Sequence, residues 1–122
     1  MATLNAQAAL RSLLADGLPG VEVRTSVPAE RPATLVVVRR VDGARQDRLI
    51  DSPRVEALMW APSEAEAEVL AQRVGDLMAS LPFARGFCRC EEVTMRTDYD
   101  LLARSPRWYA QWDLKTYNPE GR

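Results

Sequence analysis

Residues 54–81 read RVEALMWAPSEAEAEVLAQRVGDLMASL, and this stretch decides the fold class. Its first part alternates: Val55, Ala57 and Met59 fall on one face of a strand, Leu58 and Trp60 on the other. Ala61-Pro62-Ser63 ends that strand and opens a helix. Ser63-Glu64-Ala65-Glu66 has the form of a capping box, with Ser63 as N-cap and Glu66 reaching back to the Ser63 N–H. Glu64, Glu66 and Glu68 oppose the positive end of the helix dipole. Leu70, Val74, Leu77, Met78 and Leu81 then recur at three- and four-residue spacing, the pattern of an amphipathic helix ending before Pro82. A strand feeding directly into a helix calls for a sheet with helices packed on it.

Upstream, residues 34–41 (TLVVVRRV) are β-branched and apolar on both faces until Arg39, which predicts a central strand. Its partner is the strand from Arg54 to Ala61, as an antiparallel hairpin with a long polar tip holding Arg45, Asp47 and Arg48. Val21 to Ser26 alternates as a short strand. Leu4 to Ala15 predicts a helix capped by Thr3, with Ala6, Leu10, Leu13 and Leu14 as its apolar stripe. Gly17 is placed to end it in the left-handed conformation, and Pro19 prevents resumption.

Downstream, Arg89 to Thr97 is a strand of weaker pattern with Val93 and Met95 on one face. Asp98 to Pro106 is a loop. Arg107 to Tyr117 alternates clearly, with Trp108, Ala110, Trp112, Leu114 and Thr116 against Tyr109, Gln111, Asp113, Lys115 and Tyr117. Residues 118–122 read as a flexible tail. The order is αβββαββ. The expected fold class is α+β: a mainly antiparallel sheet of about five strands with two helices on one face, in a single domain spanning residues 1–122.

Composition limits function. The chain has 122 residues, 47% hydrophobic and 27% charged, an ordinary balance for one globular domain. The net charge of −1 is interspersed, which argues against a general nucleic-acid binder. No apolar run approaches the ~20 residues of a membrane span. The opening residues lack the pattern of a secretory signal, so an intracellular-type protein with reduced cysteines is expected.

Catalytic signatures are sparse. The sequence has no His, which removes Ser-His-Asp and Cys-His catalysis and the common zinc sites. Cys88-Arg89-Cys90 has one residue between its thiols, not the two of a redox pair or half a zinc site. The six glycines are dispersed, so no phosphate loop is present. Glu91 and Glu92 point to opposite faces of a strand, and Asp98 and Asp100 suit a turn. The expectation is no enzyme, no cofactor and no metal.

Two helices cover one face of a five-stranded sheet. Yet the strands are apolar on both faces, with Leu35 and Val37 against Val36 and Val38, and Val55, Ala57 and Met59 against Leu58 and Trp60. Tyr109 and Tyr117 stand opposite the tryptophans of the last strand. Whichever set faces the helices, the other lacks a cover unless loops fold over it or these residues scatter singly. An uncovered apolar face points to self-association or a protein partner. Arg40, Arg45 and Arg48, at the tip of the long hairpin, suit a contact that fixes register between subunits, or else a solvated tip. The candidate contact residues are Arg40, Arg45, Arg48, Trp60, Tyr109 and Tyr117.

Three segments together resemble the tail terminator (tail completion) proteins of long-tailed bacteriophages and related prophage particles. They are residues 18–41 (LPGVEVRTSVPAERPATLVVVRRV) after a short helix, residues 51–81 (DSPRVEALMWAPSEAEAEVLAQRVGDLMASL), and residues 105–117 (SPRWYAQWDLKTY). The resemblance spans nearly the whole chain and rests on order and spacing. It departs from the family pattern between Cys88 and Asp100. It implies a virion structural protein, made in the host cytoplasm, that forms a ring of six on the head-proximal end of the tail tube. Such a ring stops tube polymerisation and joins the tail to a neck or head-completion protein. DNA passes through it without specific binding. The alternatives are another neck or head-closure ring protein, a tail tube subunit, a small enzyme, or a monomeric binding domain.

Overall fold

The computed structural model describes residues 6–42, 50–81 and 86–117. Two helices, α1 (Ala6–Gly17) and α2 (Glu64–Ala79), accompany strands β1 (Glu22–Arg24), β2 (Leu35–Asp42), β3 (Ile50–Asp51), β4 (Arg54–Trp60), β5 (Phe87–Thr97) and β6 (Arg107–Tyr117). The short β3 prolongs β4 along the same side of β6. Asp51 lies opposite Thr116 and Arg54 opposite Asp113, and the Leu114 N–H bonds the Pro53 carbonyl between them at 2.9 Å. Counted as one, they give a five-stranded mixed sheet of spatial order β1-β2-β4-β6-β5. Only the β1–β2 pair is parallel among these. The α+β class and the order αβββαββ are those read from the sequence.

Period-two alternation sorts the sheet. Val36, Val38, Val55, Ala57, Met59, Ala110, Trp112 and Leu114 face the helices and form the main core with Leu10, Leu14, Leu70, Val74 and Met78. α1 lies over β1 and β2, and α2 over β4, β5 and β6. The α1 stripe differs in detail from expectation. Ala6, Leu10, Leu14 and Leu18 are buried, while Leu13 is exposed. Four-residue spacing from 6 to 18 keeps those four on one face, and Leu13 lies at its margin. The Thr3 cap falls outside the described residues.

Gly17 is not the left-handed terminator. It is the last helical residue, and the positive φ falls at Gly20 (82°). Gly17 instead meets α2 closely: a Cβ there would lie 2.6 Å from Leu77 Cδ2. The glycine leaves room for the Leu77 side chain where α1 approaches α2, and does not form a turn.

The start of α2 is capped by Ser63, whose Oγ accepts from the Glu66 N–H at 3.2 Å. Glu66 closes the box differently from expectation, since its Oε2 accepts from the Ser63 hydroxyl at 3.1 Å rather than from the Ser63 N–H.

β5 departs from simple alternation. Its register with β6 shifts between Phe87 and Arg89, and again between Glu92 and Thr94. Each shift is a bulge, at Cys88 and at Val93. Val93 therefore turns out to solvent instead of sharing a face with Met95, which packs on the core. The same effect exposes Cys88 and leaves Cys90 half-buried. Bulges on this outer strand also spoil it as a template for unspecific strand pairing.

Candidate functional site

The face of the sheet away from the helices is not an uncovered apolar surface. Leu35, Val37 and Trp60 are buried and form a second cluster, with Leu58 packed against it. Trp60 is 2% exposed within its own chain. The guanidinium of Arg31, from the segment between β1 and β2, lies 5.3 Å from its ring centroid, and that of Arg107 lies at 5.6 Å. These cation–π contacts and the chain segments that carry them supply a cover that strand alternation alone leaves out.

The rest of this face is polar. Arg39 pairs with Glu56 across the β2–β4 ladder at 2.7 Å. Tyr109 donates its hydroxyl to Glu56 Oε1 at 3.2 Å, under the guanidinium of Arg96 at 4.8 Å. Burial and then the Glu56 carboxylate push the Tyr109 phenol above its ordinary pKa. Arg54 binds Asp113 in a two-point fork at 2.6 and 3.0 Å. That fork holds the Asp113 carboxyl below the usual carboxylate range. Cross-strand charge pairs of this kind fix register and suit contact with water.

The described members of the expected contact set have partners within the chain. Arg40 binds Asp51 bidentately at 2.6 and 2.9 Å, and its N–H bonds Gln7 of α1 at 2.8 Å. It joins β2, β3 and α1 rather than standing at a hairpin tip. Arg45 and Arg48 fall outside the described residues, as does the segment 118–122. Tyr109 belongs to the polar face, and Tyr117 closes β6 opposite Ile50. Among the described residues, Arg40 is bound to α1 and β3, whereas Trp60 and Tyr109 lie on the face of the sheet away from the helices.

Exposed apolar surface lies elsewhere, on the turn between β5 and β6. Leu101 is 81% exposed and Leu102 fully so. The segment expected as a plain loop extends the hairpin. The Asp98 N–H bonds the Arg107 carbonyl at 2.8 Å, and Asp100 and Ser105 exchange two backbone hydrogen bonds at 3.0 and 3.1 Å. Asp100 organises the turn from within. Its Oδ1 accepts from the N–H groups of Leu102 and Ala103, both at 3.1 Å. Its Oδ2 accepts from Trp60 Nε1 at 2.9 Å. The Trp60 hydrogen bond leads the effects that hold the Asp100 carboxyl below the usual range, ahead of the Ala103 N–H and the Arg107 guanidinium. Arg104 completes the turn at a φ of 51°, in the left-handed region that non-glycine residues rarely adopt. The two leucines are thus presented on a fixed support. Adjacent leucines between Asp100 and Arg104, inside a turn-forming segment, were the signal available in the sequence.

Two grooves flank α2. One, of about 370 Å³, lies between Glu64 and Glu68 on the helix and Thr97 and Trp108 on the hairpin stem. The other, also of about 370 Å³, lies on the β1–β2 side and is floored by Val21, Ala61, Ala65, Val69 and Leu70. Val69 is 55% exposed there. Among the described residues, no three His, Cys, Asp or Glu side chains gather as a metal site. No helix among them is long and apolar enough to cross a membrane.

No family model and no curated protein matches this chain.

Proposed function

We propose that this protein is a structural component of a phage or prophage-derived tail, a terminator that forms a ring on the head-proximal end of the tail tube. In this reading it stops tube growth and offers the neck or head-completion protein a surface to bind. It acts by binding and performs no chemistry.

The observation that carries the reading is the hairpin tip. Two adjacent exposed leucines on a rigid turn are costly in a protein that works alone, and they suit a surface completed by another protein. The order of elements supports it as well. The strand beginning at Pro53-Arg54 runs through Trp60-Ala61 into the capped α2, and the chain ends on the long alternating β6, as in the family it resembles. The open face supports a contact role too, since its arginine–carboxylate pairs hold several charged groups in fixed positions.

The test is to add the purified protein to tail tubes of the particle it belongs to and to view them by electron microscopy. The expected result is density on one end of each tube and an arrest of further elongation. Incorporation along the whole tube would instead identify a tube subunit. Binding to the portal or neck but not to tubes would identify a head-closure protein. Binding to neither would return the search to a small enzyme or a monomeric binding domain.

A further inference from the structure

We propose that the groove between the start of α2 and the β5–β6 stem binds an arginine side chain presented by a partner protein. The site is built within one chain, so it goes beyond the ring reading and stands or falls apart from it.

The groove has two walls of different chemistry. One wall is α2, where Glu64 and Glu68 line it one turn apart. Residues four apart share a face of a helix, so both carboxylates are set toward the hairpin. The other wall is the stem. Thr97 pairs with Trp108 across the ladder, and Tyr99 follows Thr97 by two residues on the same face. Trp108 packs against the main core, and Tyr99 is 48% exposed. Carboxylates thus stand on one side of the groove and aromatic side chains on the other.

The two carboxylates are unengaged. Among the described residues, no hydrogen bond or ion pair holds Glu64 or Glu68, whereas Glu66 on the same turn is tied to Ser63. Arg107 also lines the groove, but Asp98 at 2.9 Å and Asp100 at 3.6 Å already answer its charge. The positive end of α2 offsets only about half a unit charge. The groove therefore keeps a net negative charge beside its aromatic wall, and it selects a cation.

The same walls favour a guanidinium over an ammonium. A guanidinium is flat and weakly hydrated, so it can stack on an aromatic ring while its N–H groups reach carboxylates on either side. An ammonium is a compact, strongly hydrated point charge that matches neither wall as well. The groove volume of about 370 Å³ leaves room for the aliphatic stem beside Ala67 and Pro106.

The test titrates the full chain with N-acetyl-arginine methylamide and follows the tryptophan indole N–H signals by NMR. Trp60 and Trp112 are each 2% exposed, so Trp108 is the tryptophan open to the probe. Its signal should shift saturably, with a dissociation constant on the order of 1 mM for so small a ligand. Glu64→Gln combined with Glu68→Gln should weaken binding about tenfold. Tyr99→Leu, which keeps apolar area but removes the ring, should weaken it about threefold. All three positions are exposed, and circular dichroism checks that the variants stay folded. The citrulline analogue, equal in shape but uncharged, should not bind. The absence of a saturable shift at Trp108 overturns the proposal. So does equal binding of the citrulline or lysine derivative, or binding indifferent to the glutamate changes. The probe reads one chain and the tube assay reads assembly, so failure of this site and failure of the ring reading are distinguishable.

Discussion

The indole N–H of Trp60 donates to Asp100 Oδ2 at 2.9 Å, joining the end of β4 to the turn between β5 and β6 across forty residues of sequence. The other oxygen of the same carboxylate accepts two backbone N–H groups of the turn. One side chain therefore holds the exposed leucines in place and closes the second apolar cluster over Trp60.

Asp100→Asn tests that dual role. The amide can still accept from the turn through its oxygen, but it then presents N–H₂ to the Trp60 N–H, two donors facing each other. Loss of a charge-assisted hydrogen bond of this kind costs roughly 1.5–3 kcal/mol. Urea unfolding should show that loss, and hydrogen exchange at Leu102 and Ala103 should quicken. Unchanged stability and protection would mean that the turn is held by its backbone ladder alone.

Acid dependence follows from the same carboxylate. The Asp100 and Asp113 pKa values are lowered in the folded state, against roughly 3.9 for an unperturbed aspartate. A lowered folded pKa gives stability that is fully present above the unfolded value and is lost as pH falls through the folded one. The stability gap between the natural chain and Asp100→Asn should be constant near neutral pH and narrow below about pH 4. Thermal unfolding across that range checks it, and a gap that widens in acid would contradict the assignment. Tyr109 has the opposite sign. Its raised pKa adds stability that is lost as pH rises above about 10.

Much of the architecture was legible because periodicity and burial agree. β2, β4, α2 and β6 follow their patterns closely, and Ser63 caps where the spacing placed it. The failures share a physical cause: they depend on contacts between distant segments. The bulges at Cys88 and Val93 are invisible to strict alternation. Gly17 looks like any terminal glycine until Leu77 is brought against it. The cover over Trp60 needs Arg31 and Arg107, which no local pattern links to it. Trp60 and Arg40 are committed within the chain, while Leu101 and Leu102 stand exposed on a turn that no periodic pattern marks.

Gly17 and Leu77 should be energetically coupled. Gly17→Val drives carbon into the space of the Leu77 methyl groups and should cost about 1–3 kcal/mol, the usual penalty of overpacking. In a Leu77→Ala background the same change should cost markedly less, leaving a coupling of roughly 0.5–3 kcal/mol in a double-mutant cycle. Additive effects would show that the close approach of α1 to α2 is not what requires glycine.

The two thiols should react at very different rates. Cys88 is exposed on its bulge, whereas burial, aided by Glu92, pushes the Cys90 thiol up to about 11. At pH 8 only about one part in a thousand of such a thiol is thiolate, the reactive form. A disulfide reagent should therefore label one cysteine quickly in the native protein and the second slowly, with equal rates only after denaturation. Cys88→Ser should remove the fast phase. Two equally fast native thiols would place Cys90 in solvent and change the register of β5.

The central claim is assembly into a terminating ring. Its most direct test is the mass of the purified protein by light scattering, over a range of concentrations and with tail tubes added. The account predicts a discrete ring of about six chains, the closed head-to-tail arrangement of identical subunits, or a monomer that becomes a ring only on tube ends. A strict monomer that never binds tubes would contradict it, and so would growth into open filaments without limit.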